Sequence, residues 1–339
     1  MKNLVLREAT EADGPALERL AAASADTGAI RFSPRFARNP VEVARVARPG
    51  IRWVLAERDG ELAGGAQVSF GDLELQGELH PYALLSTLMV HPNHRRQGVA
   101  RALTDWRLEQ AGDRVIVAHI QSANEGSFAN ARRWATQIFG AVATPPIGMR
   151  ARPPRLSVEV REARDGDWAA AADGLARFEA GWNLRVPQTA SELEAWAALE
   201  PFGLHVRRYL VAVDAGEVVA GASLAEAGRL SSFHVEHLPP ALRMLNLALR
   251  IVPPDGVIRH VGVARFWHAS GRADAARELF EDARWRFHEA GNALLPSLDL
   301  NGPLRKVVPL KPWTPKAVAS VAVRSSVRLD ESRLLAPLL

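Results

Sequence analysis

Apolar and polar positions alternate over residues 3–8 and predict a strand. Residues 13–23 (DGPALERLAAA) carry the spacing of an amphipathic helix. Two alternating runs, 52–57 and 62–70, flank Asp59-Gly60, and an Asp-Gly pair between such runs predicts a hairpin. Residues 83–90 (ALLSTLMV) are apolar almost throughout, as in a strand covered on both faces. Val99, Ala102, Leu103 and Trp106 then fall at i, i+3, i+4 and i+7, which predicts a helix over 97–111 ended by Gly112. Residues 115–120 (VIVAHI) read as a second buried strand and 124–138 as a second helix; 25–50 and 71–82 read as loops. A strand that feeds a helix beside a central sheet is a mixed α/β pattern.

The pattern restarts past residue 150. Pro153-Pro154, in GMRARPPRLSVEV (148–160), continues neither a helix nor a central strand, so a boundary falls there. Arg7-Glu8-Ala9 recurs as Arg161-Glu162-Ala163, and WVLAERDGELAGGA (53–66) recurs as YLVAVDAGEVVAGA (209–222). LMVHPNHRRQGVA (88–100) recurs more faintly as VGVARFWHASGRA (261–273). Ala276, Leu279, Phe280 and Ala283 repeat the helical stripe, with Gly291 predicted to end that helix. Three matches in order predict two copies of one domain, 1–150 and 157–339.

Composition narrows the function classes. With 339 residues, 47% of them apolar, the chain can bury two cores. No apolar run reaches the roughly 18 residues that span a bilayer, and the start is too polar for a signal peptide, so a cytoplasmic protein is expected. The absence of cysteine removes disulfides and a thiol nucleophile. The net charge is +4, with arginines scattered among acids rather than clustered with aromatics, so a nucleic-acid partner is not expected. His234 and His237 lack a third ligand in the sequence, and no metal is expected.

The densest chemistry lies in VHPNHRRQGVARAL (90–103), at the predicted turn from strand to helix. The first turn of a helix has N–H groups without internal partners and favours an anion. Gly98 lets a phosphate approach the backbone, and Arg95, Arg96 and Arg101 supply charge-assisted bonds. Leu88, Val90, Pro92, Arg95, Gly98 and Ala100 fall on the pattern Leu-x-Val-x-Pro-x-x-Arg/Gln-x-x-Gly-x-Gly/Ala, which resembles the acyl-CoA motif of the GCN5-related N-acetyltransferases (GNAT). The resemblance implies two tandem GNAT-like domains, each a central, mostly antiparallel sheet flanked by helices. It implies acetyl-CoA as cosubstrate, with Leu88, Met89 and Val90 along the pantetheine arm and Arg95, Arg96, Gln97, Gly98, Val99, Ala100 and Arg101 around the pyrophosphate. Asn124 matches an asparagine that touches pantetheine in the family.

Acetyl transfer to an amine needs a base or water relay and N–H donors for the thioester oxygen. The family's strand carboxylate, five residues before the asparagine, is replaced here by His119; from the residues alone His119 is equally a core histidine. Glu78, with His80 beside it, is the alternative base and equally a loop carboxylate. The helix tyrosine that serves as acid in family members is missing; Tyr82, in the predicted loop before the strand, is either a candidate acid or a packed loop aromatic, and water is the other candidate. The second copy lacks the proline and the paired arginines; it is expected to be degenerate, with Asn301 as the counterpart of Asn124. The resemblance implies an N-acetyltransferase acting on a primary amine, small molecule or peptide N-terminus, with its chemistry in the first domain. The alternative is a non-catalytic acyl-CoA-binding module, and a homodimer stays open.

Overall fold

A computed structural model of the chain describes residues 4–24, 31–249 and 252–338. Residue 3 of the first predicted strand and residues 25–30 of the predicted 25–50 loop lie outside the described residues. The chain runs β1 (Leu4–Glu8), α1 (Gly14–Ala23), β2 (Arg31–Phe36), α2 (Pro40–Ala47), β3 (Arg52–Arg58), β4 (Glu61–Leu75), β5 (Glu78–Val90), α3 (Val99–Ala111), β6 (Val115–Gln121), α4 (Glu125–Ala131) and β7 (Gln137–Thr144). It continues with β8 (Ile147–Gly148), β9 (Glu159–Glu162), α5 (Trp168–Phe178), α6 (Ala190–Ala198), β10 (Arg207–Asp214), β11 (Glu217–Ala225), β12 (Ser231–His237), α7 (Pro240–Leu249), β13 (Val257–Ile258), β14 (His260–His268), α8 (Ala273–Arg286), β15 (Ala293–Pro296), β16 (Leu298–Asp299) and β17 (Ala317–Arg324).

Contacts divide the chain into two compact units: Met1–Phe139 with Leu230–Pro240 and Ala319–Leu329, and Gly140–Arg229 with Ala241–Val318 and Asp330–Leu339. In the first, the sheet runs β1-β3-β4-β5-β6-β17. Its pairs are antiparallel except β5 with β6. In the second, the sheet runs β8-β15-β14-β11-β10-β9, and β14 with β15 is again the parallel pair. Each is a mostly antiparallel mixed sheet flanked by helices, as two tandem domains of one kind require.

Local chemistry explains the shared elements. Asp59 and Gly60 (φ 53° and 81°) and Ala215 and Gly216 (φ 49° and 86°) close the β3–β4 and β10–β11 hairpins with left-handed pairs whose twist suits the strands. Arg7 binds Asp13 at 2.7 Å, and Arg161 binds Asp167 at the same place in the second unit. Leu17, Leu20 and Val41 of α1 and α2 pack on Trp53 and Leu55, covering one face of the first sheet. Val99 and Leu103 of α3 pack on Val54, Ala56 and Ala66 across the other.

Four predicted elements need correction. The 71–82 loop is instead hairpin, because β4 runs on to Leu75 and β5 starts at Glu78 around Gln76 and Gly77 (φ 54° and 92°). The 25–50 loop contains β2 and α2; Asn39 caps α2, accepting from the Val41 N–H at 3.0 Å, with Pro40 in its first turn. The 124–138 helix stops at Ala131, and residues 137–144 are strand, because the Thr136 amide pairs with Val323 of β17. The helix predicted to end at Gly291 ends at Arg286.

Candidate active site

β5 and β6 pair only through Tyr82–Val115, Ala83–Ile116 and Leu84–Val117. Beyond Leu84, no strand pair among the described residues joins them, so the sheet splays open along 85–90 and 118–121. On its other edge β5 bulges. Gln67 faces Ser86 and Gly65 faces Met89, so Ala66 alone opposes Thr87 and Leu88, and Thr87 takes φ 46°. The bulge is held from both faces. Thr87 Oγ1 donates to Gln67 Oε1 at 2.7 Å. From α3, the buried Arg107 donates to Ser86 O at 3.2 Å, Gln67 O at 3.4 Å and Thr104 Oγ1 at 3.1 Å. Burial without a carboxylate lowers the Arg107 pKa to about 10.

The splay opens onto the start of α3. Arg96 (φ 58°) and Gly98 (φ 83°) alternate left-handed with their neighbours, which turns successive N–H groups toward one side. Gly98 caps the helix with no side-chain hydrogen bond, and a Cβ there would meet no atom within 4 Å. The first N–H groups of α3, including those of Val99, Ala100 and Arg101, thus have neither an intrahelical nor a capping acceptor. Arg95, Arg96 and Gln97 are exposed around this mouth. Arg58 donates to the Gln97 carbonyl at 3.2 Å and fixes the turn, while Arg101 pairs with Asp105 at 3.5 Å. Leu88, Met89 and Val90, half-buried, line the open edge of β5. Asn124 lies at the far side of the splay, where its Oδ1 caps α4 by accepting from the Ser127 N–H at 3.1 Å.

The face of the sheet under α1 and α2 is polar where the splay begins. Gln67 and Ser69 of β4, Tyr82 of β5 and His119 of β6 all project to it, opposite Val68, Ala83 and Ala118, which pack on the α3 face. Arg48, just past α2, donates from Nη1 to Ser69 Oγ at 2.9 Å. The Tyr82 ring lies over Gly71, whose Cβ, if present, would sit 2.8 Å from the ring. Burial raises the Tyr82 pKa, and burial followed by the Arg48 charge holds His119 down to about 4. His119 is therefore neutral near pH 7, and its buried Nε2 has no hydrogen-bond partner.

The structure brings His119, Leu88–Val90, Arg95–Arg101 and Asn124 around one splay, with Tyr82 four residues back along it, roughly 13 Å. It does not bring Glu78 there. That carboxylate is exposed beside the Gln76-Gly77 tip, eight residues or roughly 26 Å along the strands from His119. Arg48, Gln67, Ser69, Thr87 and Arg107 escaped the sequence reading. The signal for two of them was present: Gln67 and Ser69 alternate with Val68 and Phe70, which marks a polar face on a strand that is otherwise core.

The second unit has the same splay and bulge, closed by its own side chains. Ala222 alone opposes Arg265 and Phe266, and Arg265 has φ 46°. The bulge makes Arg265 the counterpart of Thr87 and His268 that of Val90, which corrects the sequence alignment of His268 with Arg95. From β14 to α8 the turn spans 269–272, four residues where the first unit has eight, 91–98. Arg272, at the start of α8, is tied to Asp214 at 2.6 Å and flanked by Asp274, so the helix mouth is acidic. Arg265 donates to Gln188 Oε1 at 2.8 Å and lies 5.1 Å from the Trp196 ring. Trp267, fully buried, donates to the Tyr209 hydroxyl at 2.8 Å. Gly302, not Asn301, caps the segment after β16. Among the described residues there is no group of acids and histidines with the makings of a metal site. No helix of the described residues is long and apolar enough to cross a membrane.

A bulged strand that parts from its parallel neighbour, above a helix whose first amides are uncapped, defines the GNAT class of folds. Residues 16–134 match the acetyltransferase (GNAT) family. Over 99% of its length the chain is similar to Saccharomyces cerevisiae N-myristoyltransferase solved with bound myristoyl-CoA, at 11% identity and a TM-score of 0.64, covering 85% of that protein. It is similar over 95% of both chains to a GCN5-related N-acetyltransferase from Sphaerobacter thermophilus, at 16% identity and a TM-score of 0.58. No curated protein matches the sequence.

Proposed function

We propose that the protein is an N-acetyltransferase that uses acetyl-CoA and acts on a primary amine, with the chemistry in its first unit. The observation that carries this reading is the uncapped mouth of α3 at the end of the splay, where Arg96 and Gly98 aim free N–H groups outward among Arg95, Arg96 and Arg101. These residues, with Gln97, Val99 and Ala100, hold the pyrophosphate. Leu88 to Val90 offer open strand edge to the pantetheine arm, with Asn124, at the start of α4, as its further contact. Acetyl-CoA supplies an acetyl thioester. The bulge at Thr87–Met89 supplies N–H donors to the thioester oxygen, and Arg107 and Gln67 keep that bulge rigid. His119 Nε2, neutral and unpaired, receives the proton that the amine nitrogen gives up as its bond to the acetyl carbon forms and the carbon–sulfur bond breaks. The CoA thiolate leaves with a thiol-like pKa of about 8.5 and takes a proton from solvent.

The second unit, with its shortened turn and plugged bulge, takes no CoA. A non-catalytic acyl-CoA module is the rival, favoured by the low basicity of His119. Calorimetry on the full chain tests the binding step, with one acetyl-CoA site per protein expected. Arg96→Glu with Gly98→Glu reverses one charge and puts a carboxylate at the mouth; it abolishes binding while circular dichroism stays unchanged. Undiminished affinity in that variant refutes the assignment. Release of CoA in the presence of amines separates enzyme from module.

A further inference from the structure

We propose that Arg48 receives a carboxylate of the acceptor, so that the amine acetylated in the first unit belongs to a small amino acid-like molecule rather than to a simple amine. The inference rests on the acetyltransferase reading and names the class of its second substrate. Several arginines near this face are ion-paired: Arg7 with Asp13 and Glu57, Arg45 with Glu11, Arg52 with Glu8. The buried Arg107 has no carboxylate but gives its hydrogen bonds to three carbonyls and a hydroxyl. Arg48 combines a half-buried guanidinium, whose charge burial disfavours, with a single side-chain bond, to the neutral Ser69 hydroxyl. Among the described residues no carboxylate pairs with it.

A guanidinium has five N–H donors; the Ser69 hydroxyl takes one, and the others stay open at a half-buried position that a ligand can reach. A fold that needed only to tether Ser69 would do so with a neutral side chain. The open side of the guanidinium is free for an anion, and the planar fork of arginine fits a carboxylate with two parallel bonds. The position fits an acceptor. Arg48 stands over the α1/α2 face with Ser69 and Tyr82, its charge is felt at His119, and the uncapped α3 mouth lies at the other end of the splay. A carboxylate neutralising Arg48 also removes part of the field that depresses His119, so the base gains strength only once the acceptor is seated.

The test is binding to the full chain, with and without saturating CoA, of the standard α-amino acids, β-alanine and γ-aminobutyrate, each beside its amide. The wild type binds at least one acid more tightly than its amide, by about tenfold to a hundredfold, the worth of a charge-assisted bond. Arg48→Met erases that preference and leaves acetyl-CoA affinity unchanged, and Arg48→Lys, which keeps the charge without the fork, retains part of it. Acids and amides bound alike by the wild type, no binding of any acid, or a preference that survives Arg48→Met each overturn the proposal. Failure of acetyl-CoA itself to bind counts instead against the acetyltransferase reading, because the acid–amide comparison without CoA still reports on Arg48.

Discussion

Replacing His119 by glutamine changes how stability depends on pH, by an amount that follows from its surroundings. The ring titrates at about 4 in the fold against 6.5 for an ordinary histidine. A depressed histidine leaves the unfolded chain binding more protons, so its contribution is fully present above pH 6.5 and is lost as pH falls toward 4. Integrated between pH 7 and pH 5, the difference in bound protons amounts to a loss of up to about 2 kcal/mol. Two other groups titrate nearby. His260, also held down to about 4 by burial, acts in the same direction. Glu179, whose burial lifts its pKa to about 7, acts oppositely, because its stabilising protonated state is lost as pH rises through 7. The wild-type profile is the sum of these, and comparison with His119→Gln isolates one. Urea denaturation followed by tryptophan fluorescence at pH 7, 6 and 5 measures it. The wild type loses about 2 kcal/mol more than the variant between the end points. Parallel profiles would refute the reasoning and mean that the ring takes up its proton in the fold as readily as in water.

Two further substitutions probe the frames around the two splays. Arg107→Met leaves the bulge carbonyls of Gln67 and Ser86 without their donor and lowers stability by about 2 kcal/mol in urea denaturation; a neutral result would mean that relief of the buried charge offsets those bonds. Gly174→Ala in α5 puts a Cβ 2.1 Å from the Trp267 ring and costs about 3 kcal/mol despite the better helix propensity of alanine, read as a lower melting temperature.

What the sequence reveals of the fold follows a physical line. The Asp59-Gly60 hairpin, strand 83–90 and helix 97–111 depend on residues near one another, and each is found within a few positions of its prediction. β2 and α2 are hidden in 25–50 because β2 pairs with β12, two hundred residues away, and its sequence RFSPRF carries no clean alternation. The stretch after Ala131 reads as helix by composition but is strand by partnership with β17. At the candidate site the uncapped turn before α3 is legible because glycine and arginine at a helix start are local signals. Arg48 and Ser69 are not, since an arginine after a short helix and a serine in a strand acquire meaning only when folding places them 2.9 Å apart.

β17 pairs along β6 from Ala319 with Gln121 to Arg324 with Ile116. The strand that bears His119 thus gains its second neighbour from the far end of the polypeptide. On the ribosome, nearly two hundred residues emerge between β6 and that partner, and until they do the apolar run VIVAHI presents an unpaired edge to the cell. A truncated chain lacking β17 keeps every residue proposed to hold acyl-CoA yet inherits that sticky edge permanently. β17 acts as the latch that tells a closed first sheet from an interrupted one.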